Sequence, residues 1–206
     1  MQAQTPNARP PRRGPLATLD RFARSSAAVE RCDLCGVGLA VAHEHLAEPA
    51  TRRLLCCCSA CALLFSAQEA GRYRRVSPRC EPLPELQVPD GLWGRLGVPV
   101  GLAFFVHRSA PGGVMAVYPS PAGPLESPVA AEDWAALVAA NAVLRDLEPD
   151  VEALLVNRTG GARDHFRVSL DRCYELIGLI RTHWQGFTGG PALWDGVGRF
   201  FAALRG

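Results

Sequence analysis

Cysteine spacing constrains this chain more than any other feature. The segment RRLLCCCSAC places Cys56, Cys57, Cys58 and Cys61 within six positions, and CDLCG places Cys32 and Cys35 upstream. Cys32 and Cys35 form a C-x2-C pair followed by Gly36, and Cys58 and Cys61 form a second pair. Two thiolates at this spacing grip one ion when the backbone turns tightly and its amides point at the sulfurs. A glycine after the second cysteine eases that turn. Each pair supplies two corners of a tetrahedron, so the spacing predicts one four-thiolate site made of Cys32, Cys35, Cys58 and Cys61.

The stretch between the pairs can fold back on itself. VGLAVAHEH has strand character, LAEPAT contains a turn and RRLLCCC returns as a strand. ALLFSAQEAGR, after Cys61, has helical character. Knuckle, hairpin and a second pair at a helix N-terminus is the order of a treble-clef zinc finger, and a helix N-terminus favours thiolate. A zinc ribbon, with a second hairpin in place of the helix, is the close alternative. On a strand, Cys56 and Cys58 face one way and Cys57 the other. Cys56 is then a spare thiol near the metal, and Cys57 a small buried hydrophobe. His43 and His45 share a face of the opposite strand, within reach of Cys56. These three residues are candidate substitutes for a ligand, or a second, weaker site; the bland alternative leaves both histidines on the hairpin surface.

Zinc is the expected ion. Its competitor is iron in a rubredoxin-like four-sulfur site. That fold repeats the C-x2-C-G knuckle, whereas Cys61 is followed by Ala62. The N-terminus, MQAQTPNARPPRRGPL, has arginines but no apolar stretch of the kind a signal peptide needs. No apolar run approaches the ~20 residues of a membrane helix. The expectation is a cytoplasmic protein without a membrane span, whose eight cysteines serve metal or redox chemistry and not disulfides.

Composition divides the chain in two. All 22 basic side chains are arginine, which excludes any mechanism built on a lysine Schiff base. Residues 1–80 carry twelve arginines against six acids, and residues 81–206 carry ten against fourteen. A basic front and an acidic back favour a two-part organisation. Residues 1–17 are expected to be disordered and residues 18–80 to form the Cys-rich module, opening with a short helix over 16–32. Residues 81–97, rich in proline, read as a linker or an extended crossing segment. Residues 98–206 then form an α+β domain.

Within that domain, residues 98–108 and 114–120 read as two strands of a hairpin, and PAGPLESP, 121–128, as a loop. Residues 131–147 read as one helix stopping before Pro149. Residues 151–158 and 166–168 read as strands. A helix follows with Ser169 as N-cap and Leu170, Cys173, Ile177 and Ile180 on its apolar stripe. Pro191 opens the final helix. The fold class is therefore α+β: a treble-clef or zinc-ribbon-like module, then a small, at least partly antiparallel sheet covered by about three helices.

No catalytic constellation is evident. There is no G-x-S-x-G, no P-loop and no H-E-x-x-H, and His107, His165 and His183 have no sequence-evident partner. A four-thiolate zinc site is normally closed and structural. GRYRRVSPR carries Arg72, Arg74, Arg75 and Arg79 around Tyr73, a patch that could contact nucleic-acid phosphates. The nearly balanced charge, +2 overall, favours a solvated basic segment docked on the acidic second half instead.

The stretches CDLCG, HEHL, LLCCCSACALLF, GRYRRV, AVYPSPAG and LIRTHWQGFTGG together resemble a family of uncharacterised bacterial proteins. Its members are encoded in operons of actinobacterial-type, high-affinity NiFe hydrogenases. The resemblance covers roughly residues 25–206. It implies a context and no activity: a cytoplasmic accessory to hydrogenase expression, maturation or electron transfer, with a hydrogenase subunit or maturation factor as its partner; with no catalytic set in the chain, the expectation is a non-enzymatic accessory. It supplies no catalytic residues.

Overall fold

The computed structural model describes residues 30–66, 71–120, 123–186 and 188–206. The expected disordered lead-in, 1–17, and nearly all of the expected helix over 16–32 lie outside these residues. The described chain is α+β, with two antiparallel sheets and five α-helices.

The smaller sheet has the order β2-β1-β3, from β1 (Glu44–Glu48), β2 (Arg53–Cys57) and β3 (Arg74–Val76). β1 and β2 form a hairpin in which His45 pairs with Cys56 and Glu44 with Cys57. Alternation along the strands then sorts the side chains. Leu46, Leu55 and Cys57 turn inward and pack with Cys32, Cys61 and Ala62. Ala47 and Leu54 turn the other way and pack, with Val76, against Val151 of the larger domain. Helix α1 (Ser59–Ser66) follows β2 directly.

The larger sheet has six strands, all antiparallel, in the order β4-β9-β8-β5-β6-β7. They are β4 (Cys80–Pro82), β5 (Leu102–Arg108), β6 (Gly113–Ser120), β7 (Gly123–Pro128), β8 (Glu152–Asn157) and β9 (Asp164–Ser169). Helices cover both of its faces. Leu102, Phe104, Val106 and Leu155 face α4 (Leu170–His183) and α5 (Pro191–Arg205). Ala103, Phe105, Leu154 and Val156 face α2 (Asp90–Arg95), α3 (Ala131–Ala140) and a 3-10 turn, Ala142–Asp146. Sandwiching explains why β8 is buried at every position and reads as a continuous apolar run rather than an alternating one.

Three segments differ from the sequence expectation. Residues 81–97 do not form a free linker: Leu83, Leu86, Leu92 and Leu96 are buried under the sheet, and α2 lies within the segment. The prolines hide this, because the apolar residues between them follow no regular period. Residues 123–128, expected as part of a loop, form edge strand β7; both of its prolines are tolerated because one side of an edge strand needs no ladder bonds. The helix expected over 131–147 stops at Ala140. Asn141 is buried, with φ −138°, and its side-chain amide bonds both Gln87 backbone groups and the Leu137 carbonyl. A side chain that satisfies backbone groups in this way competes with helix continuation.

The basic front and acidic back meet across the seam. Arg74 lies 2.7 Å from Glu148 and 3.8 Å from Asp150, Arg79 lies 2.8 Å from Glu152, and Arg52 lies 2.9 Å from Glu126. Glu152 also receives two bonds, of 2.6 and 2.8 Å, from the buried guanidinium of Arg167. Among the described residues, no helix is long and apolar enough to cross a membrane.

Candidate metal centre

The first knuckle is built by local backbone chemistry. The Cys32 N–H donates to Val37 O, and the Gly36 N–H donates to Cys32 O, each at 2.8 Å. Gly36 has φ +76°, a left-handed conformation that a side chain would disfavour. Asp33, inside the knuckle, clamps it to the end of β2. Its N–H donates to Cys56 O and its carboxylate accepts from the Cys56 N–H, both at 2.8 Å. That clamp delivers Cys32 and Cys35 beside Cys58. Asp33 was not singled out in the sequence, although a carboxylate between paired cysteines is a legible signal for such a brace.

The second pair sits where β2 gives way to α1. Cys58 precedes the helix, its carbonyl accepts from the Ala62 N–H at 2.9 Å, and Cys61 lies in the first turn. Knuckle, hairpin, then helix is the treble-clef order; no second hairpin replaces the helix, as a ribbon would require.

The four sulfurs lie within 4.8 Å of one another, with Cys35 and Cys58 Sγ 3.8 Å apart. Zn–S bonds of about 2.3 Å imply a tetrahedral edge of about 3.8 Å. Cys32 and Cys61 are buried, Cys58 is half-buried and Cys35 is exposed. Burial pushes the Cys32 thiol up, but the backbone amides of Cys58, Cys35 and Leu34 outweigh it and bring the value down to about 6. Cys61 moves the opposite way: burial and its three neighbouring thiols hold it well above the usual thiol range. One thiolate forms readily and the next is resisted, because burial and then the neighbouring thiols disfavour a second negative charge. A cation removes that conflict, so the donor set fits a thiophilic metal ion.

The other cysteines separate from this centre. Cys57 is fully buried, donates its thiol to Glu44 O at 3.3 Å, and is pushed up to about 12, chiefly by burial. Cys56 does not share the face of Cys58, as unbroken strand parity implied. The strand ends at Cys57, and Cys58 swings into the four-sulfur cluster while Cys56 stays on the opposite face. There it meets His43 and His45: one ligand atom from each of the three lies within 4.8 Å of the others. Neither of the two sets includes His107, His165 or His183. Cys173 is buried in the core of the larger domain.

The arginines once suggestive of nucleic acid are all ion-paired. Arg72 bonds Glu48, Arg75 forms a two-pronged pair with Glu44 at 2.8 and 3.0 Å, and Arg74 and Arg79 reach across the seam as described. Glu48 is buried under Arg72, which itself stays largely exposed.

Fold and site together define a class: a treble-clef-like, four-cysteine module joined to an antiparallel α+β domain. The chain belongs to DUF5947, a family of unknown function, whose model matches residues 31–206. Comparison with curated proteins and with solved structures finds no match.

Proposed function

We propose that this protein is a non-enzymatic, zinc-binding accessory that works through protein contacts. Cys32, Cys35, Cys58 and Cys61 hold a structural Zn2+ that shapes the module, and the larger domain is the platform on which the module is mounted. The observation that carries this reading is the convergence of the four sulfurs within 4.8 Å. A closed four-thiolate shell has no open position for substrate, which suits a structural role.

Zinc is preferred to rubredoxin-like iron because the second pair lies at a helix start and not in a second glycine-bearing knuckle. A contact role is supported by α1, whose Leu63 and Leu64 are more than half exposed beside Phe65. Apolar groups grouped in this way favour a protein partner. By the sequence resemblance described above, that partner is a NiFe hydrogenase subunit or maturation factor, in the cytoplasm. Nucleic-acid binding is disfavoured because Arg72, Arg74, Arg75 and Arg79 already have carboxylate partners.

Elemental analysis of protein purified from its own host tests this reading. The expected result is a colourless protein carrying zinc, with the four-sulfur ion lost in a Cys32→Ser/Cys61→Ser variant. Visible thiolate-to-iron absorption would replace zinc with an electron carrier. Substrate turnover by the isolated protein would end the accessory reading.

A further inference from the structure

We propose that His43, His45 and Cys56 form a second metal site, suited to Zn2+ or a similar borderline divalent ion, at the seam between the Cys-rich module and the larger domain. It is independent of the four-sulfur centre and uses none of its ligands.

Strand pairing builds the site. His43 comes one residue before β1, and His45, within the strand, lies directly opposite Cys56. The rings stand 4.7 Å apart at 52°, and ligand atoms of all three residues lie within 4.8 Å of one another. Two imidazoles and a thiol match the donor preference of zinc and its neighbours.

The hydrogen bonds prepare both rings. His43 Nδ1 lies 3.0 Å from the Ala40 carbonyl, which can only accept, so the proton sits on Nδ1. Nε2 then carries the lone pair. That atom is buried, in a side chain that is 9% exposed, and has no hydrogen-bond partner among the described residues. A buried acceptor left unpaired is costly, and a metal ion satisfies it. His45 repeats the arrangement: its Nδ1 lies 3.4 Å from the Asp171 carboxylate, in the first turn of α4. Ligating histidines characteristically give their other ring nitrogen to a carbonyl or a carboxylate, and this pair shows one of each.

Glu30 borders the cluster. Its Oε1 lies 3.5 Å from Cys56 Sγ, and its Oε2 3.9 Å from His43 Nδ1. Three protein donors with an exposed carboxylate beside them make a more open site than the four-sulfur centre. Because Asp171 belongs to the larger domain, an ion here also ties the module to that domain.

Native mass spectrometry of the full chain titrated with Zn2+ tests the proposal. The wild type is expected to take two ions, and His43→Ala/His45→Ala and Cys56→Ser one each. Asp171→Asn, which removes no ligand, is expected to weaken the second ion roughly 10–100-fold and leave the first unchanged. Circular dichroism checks that each variant keeps its fold. With Co2+, the variants are expected to show a four-sulfur spectrum, and the wild type an added nitrogen-containing component. One ion in the wild type, unaffected by these substitutions, overturns this proposal and leaves the four-thiolate reading standing. No ion in any protein overturns both.

Discussion

The two halves of this molecule hold their shape by different means. The larger domain sandwiches its sheet between two apolar layers, one of seventeen buried residues and one of fifteen. Among the described residues, the buried cluster of the Cys-rich module has six residues, three of them cysteine. Burial at ~25 cal/mol per Å² of apolar surface sustains the first arrangement and falls far short for the second. Small modules close such a gap with disulfides or a metal. All eight cysteines are free thiols, and the four that converge, Cys32, Cys35, Cys58 and Cys61, could hold a metal ion that closes the gap. Cysteine plays more than one part: Cys173 in the larger domain and Cys57 in the module are packing, while Cys32 and Cys61 are both packing and candidate donors.

Chelator treatment should separate the two halves most strongly. Structural zinc contributes apparent binding free energies of about 10–16 kcal/mol in zinc-finger peptides at neutral pH. Chelation is expected to abolish hydrogen-exchange protection in β1 and β2 while β5 and β8 stay protected. Equal loss in both sheets would mean that the halves fold as one unit.

The converse experiment cuts into the larger core. Phe105 is 1% exposed and packs against Trp93 and Trp134. Phe105→Ala should cost about 3–5 kcal/mol, read as a shift in the urea midpoint. Zinc stoichiometry at the four-sulfur centre should not change. A loss of zinc in this variant would show that the platform, and not the metal, shapes the module.

The smallest expected effect concerns pH. His165 is buried, both of its ring nitrogens lack hydrogen-bond partners, and burial, reinforced by Arg158, holds it below its ordinary value. Below pH ~6.5 the unfolded chain takes up a proton that the folded domain resists. The stability due to neutral His165 is therefore complete above that pH and is lost as pH falls toward the lowered folded value. In chelator-treated protein, the urea midpoint of the larger domain should drop between pH 7.5 and 5.5. His165→Gln should flatten that drop, and an unchanged slope would place the responsible group elsewhere.

Much of the module was legible in advance because its signals are local. Paired cysteines, a following glycine and two apolar strand segments each act over a few residues. The larger domain was legible where periodicity is strong, as in α4 and α5, and illegible where it is not. Residues 81–97 look like a linker because proline masks the spacing of Leu83, Leu86, Leu92 and Leu96, whose burial depends on a sheet assembled from distant strands. Asn141 ends a helix through bonds to Gln87, a partner 54 residues away that no local pattern reveals.

By itself, then, the sequence determined the donor set: C-x2-C pairs, their tight turn and the strand–helix order follow from local backbone preferences. How the cysteines divide between the two clusters follows from long-range packing. Strand β2 ends between Cys57 and Cys58, so Cys58 turns to the four sulfurs while Cys56 remains facing His43 and His45. The charge on the arginines was also readable in the chain, but their pairing with Glu44, Glu48, Glu148 and Glu152 was not. Opposite charges attract at any sequence separation, and only the assembled fold selects which of them meet.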